Sequence, residues 1–124
     1  PILGTCAGVI LLASEGDQEV ERTGTRLLGF LDAKVNRNAF GRQRESFEKE
    51  LVIEGYAEPF LGVFIRSPLI ENVWNRCNIR CTCEGNIVMV EQGNVIDTSF
   101  HPELFGDTRI HEEILRKAID NSII

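Results

Sequence analysis

Apolar residues fall in short runs separated by polar, glycine-bearing stretches. Ile2 and Leu3, running into Gly4 and Thr5, predict a short buried strand, and residues 9–13 predict a helix, so Cys6 falls at the junction. Residues 14–25 are polar, with Glu15-Gly16-Asp17 and Thr23-Gly24, and read as a loop. Residues 27–35 suit a turn followed by a strand. Residues 36–46, rich in Arg, Asn and Gln around Gly41, suit an ordered loop. Phe47, Leu51 and Ile53 mark a strand-like stretch that ends at Glu54-Gly55. The continuous run Leu61-Gly62-Val63-Phe64-Ile65 fits a strand covered on both faces and stops at Arg66-Ser67-Pro68. From Asn78 the pattern changes to hairpins: residues 79–83, 87–90 and 95–100, joined at Glu84-Gly85-Asn86 and Gln92-Gly93-Asn94, read as a three-stranded meander. Asp107 or Thr108 then caps a helix whose Ile110, Ile114, Leu115, Ala118 and Ile119 form one apolar stripe. The expected class is mixed α/β, with an antiparallel part after a parallel-looking beginning.

The 124 residues amount to one domain. With 43% hydrophobic and 26% charged residues, the composition is that of a folded chain rather than a disordered one. A formal charge of −6 removes the electrostatic footprint of a nucleic-acid binder, and neither a basic amphipathic stretch nor a membrane-length apolar run is present. The expectation is therefore no nucleic acid and no membrane. The chain opens Pro1-Ile2-Leu3 without a Met or a signal segment, and its one Met is Met89. It reads as a chain whose natural N-terminal part is missing. Four cysteines in such a chain suit reduced thiols in the cytoplasm. Cys77, Cys81 and Cys83, even with His111, lack the spacing of common zinc sites, so buried or edge thiols are expected there and no metal. His111, on the last helix, suits the surface.

The sharpest local signal is Gly4-Thr5-Cys6-Ala7-Gly8 between a strand and a helix. A tight turn of this kind lifts its central residue clear of the sheet, and flanking glycines avoid a collision. The helix N-terminus below favours thiolate, and the backbone N–H of Ala7 is placed for an oxyanion. The competing reading is a glycine-flanked structural cysteine. A nucleophile needs a base. His101 stands at the C-terminal end of a strand, where reactive groups collect in open α/β sheets, and Glu103 two residues on is spaced to hold the far imidazole nitrogen. A purely structural His101 is the alternative.

Gly-Thr-Cys-Ala-Gly together with Ser-Phe-His-Pro-Glu-Leu resembles the class I, triad-type glutamine amidotransferases. Asn38-Ala39-Phe40-Gly41-Arg42-Gln43, Ser46-Phe47-Glu48, Gly62 through Pro68 and Gln92-Gly93-Asn94 narrow the resemblance to the glutaminase subunits that serve pyridoxal 5′-phosphate synthases. It extends over nearly the whole chain. It implies a flavodoxin-like mixed sheet with flanking helices, residues 1–124 being the C-terminal portion of a single amidotransferase domain whose first βα units are absent. It implies hydrolysis of L-glutamine to glutamate and ammonia in vitamin B6 synthesis, with Cys6 as nucleophile, His101 as general base and acid, Glu103 as its orienter and Ala7 as oxyanion donor. Arg37, Ile65 and Arg66 match positions that contact glutamine. The implied partner is the (β/α)8-barrel synthase subunit, which receives the ammonia, and no cofactor is implied. Asn36 stands where family members usually carry Glu. The Gly-Gly-Glu-Ser motif that supplies a second oxyanion donor would precede Pro1. Two other readings follow from the same residues: a catalytically silent binding or structural piece, and a glutaminase serving histidine or purine synthesis.

Overall fold

A computed structural model describes residues 1–37 and 46–122, with no side-chain account of 121 and 122. Ile2–Thr5 forms strand β1, and Ala7–Leu12 forms helix α1, so Cys6 is the junction residue as expected. Residues 14–25 depart from the loop reading. Glu15–Gly16 forms β2 and Gln18–Arg22 forms α2, a five-residue helix started by Asp17, whose carboxylate accepts the Val20 N–H at 3.1 Å. Capping is what gives so short and polar a segment a turn of helix. Ala33–Asn36 (β3), Ser46–Leu51 (β4), Phe60–Ile65 (β5), Leu69–Val73 (β6), Asn78–Cys83 (β7), Asn86–Gln92 (β8) and Val95–Thr98 (β9) follow. Arg109–Ser122 forms α3, preceded by a 3-10 turn at Leu104–Gly106. Residues 38–45 of the expected ordered loop lie outside the described residues.

The main sheet runs β1-β9-β8-β6-β3-β2, with β7 added on β8. Strands β7, β8 and β9 make the expected meander, and Glu84 and Gly85, both at positive φ, form the tight turn between the first two. The parallel pairs are β1–β9 and β2–β3; the other described pairs are antiparallel. Parallel pairing is thus split between the sheet's two ends instead of opening the chain as one block. β1 is not the buried strand its composition suggests. Among the described residues it pairs with β9 alone, and Ile2 is 37% exposed. The apolar run of β5 belongs to a separate two-stranded sheet with β4, in which Phe60, Val63 and Phe64 are buried and Ile65 is exposed.

Alternation along β6 and β9 sends Leu69 and Ile96 to one face, and Ile70 and Val95 to the other. The second face packs against Val9, Ile10 and Leu12 of α1 and Val20 of α2. The first packs against Phe60 and Phe64 of β5 and Ile110 of α3. The predicted stripe of α3 is only half used: Ile110 is buried, while Leu115 and Ile119 are 60% and 51% exposed. Cys77 is buried with the α1 side, and Cys81 and Cys83 with the other. Burial pushes the Cys77 and Cys81 thiols up to about 11, so both stay protonated at neutral pH. No helix among the described residues is long and apolar enough to cross a membrane.

Candidate active site

The turn at Cys6 has φ 51° and ψ −111°, a conformation that costs a non-glycine residue on the order of 1–3 kcal/mol. It is held from both sides. The Cys6 N–H donates to the Thr98 carbonyl at 2.9 Å, continuing the β1–β9 ladder, and the Cys6 carbonyl accepts the Val9 N–H at 3.0 Å to begin α1. Gly4 is required by close approach. A Cβ there would lie 1.9 Å from Asp97 Oδ1 and 2.7 Å from Leu12 Cδ1. At Gly8 a Cβ would meet nothing within 4 Å, so the collision argument holds for the first glycine and fails for the second. Gly4→Ala is expected to destabilise the chain by about 1–3 kcal/mol through overpacking. Asp97→Ala in the same chain is expected to recover part of that loss in thermal melts; strictly additive effects would contradict the contact.

Beyond β9, Phe100 packs its ring against Phe60 and Phe64 at centroid distances of 5.8 and 5.6 Å, and Phe64 stacks on Phe47 at 4.6 Å. This aromatic block seats the β4–β5 sheet under the residue that follows, His101. Its backbone N–H donates to the Val63 carbonyl at 2.8 Å, and its Nδ1 lies 2.8 Å from Glu103 Oε2. Two residues along β5 from Val63, the Ile65 carbonyl accepts the Cys6 thiol at 3.6 Å. Alternate carbonyls of a strand face one edge, about 6–7 Å apart. One edge of β5 therefore anchors both the thiol and the histidine backbone, and the Glu103 charge is felt at the sulfur.

The thiol is not drawn toward thiolate in this arrangement, contrary to the expectation from its place at a helix start. Burial raises its pKa. The Ala7 N–H and the Ser67 hydroxyl lower it, and Glu103 raises it again. Six residues of helix and two hydrogen bonds do not outweigh desolvation. Ionisation of Cys6 then calls for a base, and the His101 imidazole, with Nδ1 on Glu103, belongs to the residue anchored on the same edge of β5.

The other predicted residues divide. Ala7 opens α1 directly after Cys6, and its N–H lowers the thiol's pKa. Ile65 ends β5 with its carbonyl on the thiol, and Arg66 follows it, at φ 46° and exposed. Arg37 follows β3, separated from β1 in the sheet by β9, β8 and β6; its N–H donates to Asp17 and its Nη1 to Thr23 at 3.3 Å. His111 is exposed on α3. A cleft of about 870 Å³ lined by Tyr56, Arg80, Arg109 and Glu113 includes none of the predicted site residues. Arg80 there is held by Glu91 and Glu113, each at 2.9 Å. Among the described residues no group of three or more His, Cys, Asp or Glu is arranged to hold a metal ion. Sequence reasoning gave no role to Ser67, though it sits within a quoted motif, nor to Asp97. An acidic residue inside an apolar strand, opposite a glycine, was the available signal for the second.

The sequence pattern of the SNO glutamine amidotransferase family matches residues 1–120. The chain is 54% identical over 120 residues to a protein of Methanosarcina mazei named pyridoxal 5′-phosphate synthase subunit PdxT, covering 97% of this chain and 60% of the relative. Proteins of the same name from Thermococcus onnurineus and Shouchella clausii are 52% and 45% identical, over 96% and 100% of this chain and 60% and 62% of their own. A solved structure described as a glutamine amidotransferase superposes with a TM-score of 0.84 at 45% identity, over 94% of this chain and 59% of that one. The chain thus spans about three fifths of the length of these relatives.

Proposed function

The chain belongs to the SNO glutamine amidotransferase family, and on that premise we propose that the protein of which it forms part hydrolyses L-glutamine and passes the ammonia to a pyridoxal 5′-phosphate synthase subunit in the cytoplasm. The observation that carries this reading is the double anchoring of Cys6 and His101 on β5, with Glu103 on the imidazole. His101 takes the Cys6 proton, and the thiolate attacks the side-chain amide carbon of glutamine. The Ala7 N–H stabilises the oxyanion. As the C–N bond breaks, His101 returns its proton to the leaving ammonia, and a γ-glutamyl thioester remains on Cys6. Water, deprotonated by His101, then cleaves the thioester and releases glutamate. Ile65 and Arg66 stand where a substrate over the thiol would lie, and the Arg66 guanidinium suits its α-carboxylate. Arg37 enters as a glutamine contact through the family resemblance alone.

Mixing the full-length protein with a barrel synthase subunit and glutamine, and following glutamate and ammonia, tests the reading. Stimulated release that feeds pyridoxal phosphate formation is expected, and release that no such synthase stimulates would contradict it. Glu103→Gln is expected to lower kcat about 10²–10⁴-fold, because the imidazole loses the partner that fixes its tautomer and supports its charge. An unchanged kcat would remove Glu103 from the relay. The raised thiol pKa favours a second reading for the 124-residue piece by itself: it is silent until further structure is added. Comparing its glutaminase rate with that of the full-length protein separates the two.

A further inference from the structure

The Arg66-Ser67-Pro68 turn between β5 and β6 buries a hydroxyl that the triad does not use. Ser67 is 5% exposed, and its Oγ accepts the Ile65 N–H at 3.1 Å. A hydroxyl has one hydrogen and two lone pairs, so accepting from Ile65 leaves its hydrogen to be given elsewhere. The Cys6 sulfur lies on the backbone of that same residue, and the Ser67 hydroxyl lowers the thiol's pKa. The Ile65 peptide therefore sits between the two side chains: its N–H goes to Ser67, and its carbonyl takes the Cys6 S–H at 3.6 Å. That carbonyl fits only the protonated sulfur. Once the thiol ionises, the carbonyl faces a negative charge with no donor, and a second group must supply one.

Resting on the glutaminase reading, we propose that Ser67 is a catalytic residue, donating its hydroxyl hydrogen to the Cys6 sulfur and holding the thiolate during attack on the amide. The charged groups around the sulfur sharpen the case. Glu103, with His101 on it, approaches from the segment after β9, and its charge opposes ionisation. Arg66 flanks Ser67 and is exposed. The residues of α1 and β1 bring no charge. Donors to the thiolate are then the Ala7 N–H and the Ser67 hydroxyl. Placing the second on a buried turn adjacent to Pro68 keeps it aimed without help from solvent.

The test is the pH dependence of Cys6 alkylation by iodoacetamide in the full-length protein, read at the Cys6 peptide, alongside kcat and KM for glutamine. Ser67→Ala is expected to move the alkylation inflection upward by about one pH unit. It should cut the rate at neutral pH about tenfold and shift the acid limb of kcat, with KM unchanged. Ser67→Thr, which keeps the hydroxyl, is expected to restore the original profile. Ser67→Gly serves as the second truncation should the alanine variant not fold. A wild-type alkylation profile in either truncation overturns the proposal and leaves Ser67 as a backbone partner of Ile65 only. Alkylation needs no turnover, so absence of glutamine hydrolysis in the wild-type protein would strike the proposed function and leave this profile readable.

Discussion

Cys6→Ala in the full-length protein, mixed with a barrel synthase subunit, is expected to lower glutamine hydrolysis by on the order of 10³-fold or more, with secondary structure and melting temperature close to wild type. The size follows from what is removed. In the proposed reaction the sulfur is the atom that forms the thioester, and His101 and the Ala7 N–H act only on groups bound to it. Alanine keeps the φ 51° turn and its bonds to Thr98 and Val9, so the fold is spared. Synthesis of pyridoxal phosphate from added ammonium salts should continue in the same mixture. Retained glutamine hydrolysis would take Cys6 out of the chemistry.

The second large effect lies two residues before that turn, across the ladder from Gly4. Asp97 is fully buried, neither carboxyl oxygen has a hydrogen-bond partner among the described residues, and burial pushes its pKa up to about 8. The direction fixes the pH dependence. Below about pH 4 the carboxyl is protonated folded or unfolded and costs nothing. From there to about pH 8 the unfolded chain gives up the proton while the folded chain keeps it, so stability falls as pH rises, and above that it levels off. At pH 7 the loss is on the order of 4 kcal/mol. Asp97→Asn removes the ionisable group at nearly constant size. It is expected to raise the melting temperature at pH 7–8 and to flatten its fall between pH 5 and 8, with little change at pH 4. The buried groups nearby that titrate do not mask this: Cys77, whose pKa Asp97 helps to raise, stays protonated throughout the range. Parallel melting curves for the two proteins across pH would contradict the assignment.

Parts of the fold that depend on neighbouring residues were legible in the sequence. The junction at Cys6 follows from a glycine-bounded change of period over a dozen residues, and the meander from turns at Gly85 and Gly93. His101 and Glu103 are close because only Pro102 separates them. What escaped depends on partners far along the chain. β6 reads Leu69-Ile70-Glu71-Asn72-Val73, too mixed to stand out, and becomes a strand because β3 and β8 flank it. Asp17 caps α2 only once residues that look like loop have folded back on β3. The thiol's pKa could not be read from its place at a helix start, because burial in the folded chain sets it, and its partner, the Ile65 carbonyl, lies fifty-nine residues on. Ser67 and Asp97 stayed hidden for the same reason: each matters through burial against a segment remote in sequence.

The most direct test is to treat the full-length protein with an electrophilic analogue of glutamine and map the modified peptide. The account predicts one adduct, on Cys6, blocked by excess glutamine and lost when His101 is replaced, with Cys77, Cys81 and Cys83 untouched. An adduct on any of those three thiols, or labelling of Cys6 that is indifferent to both glutamine and His101, would contradict it.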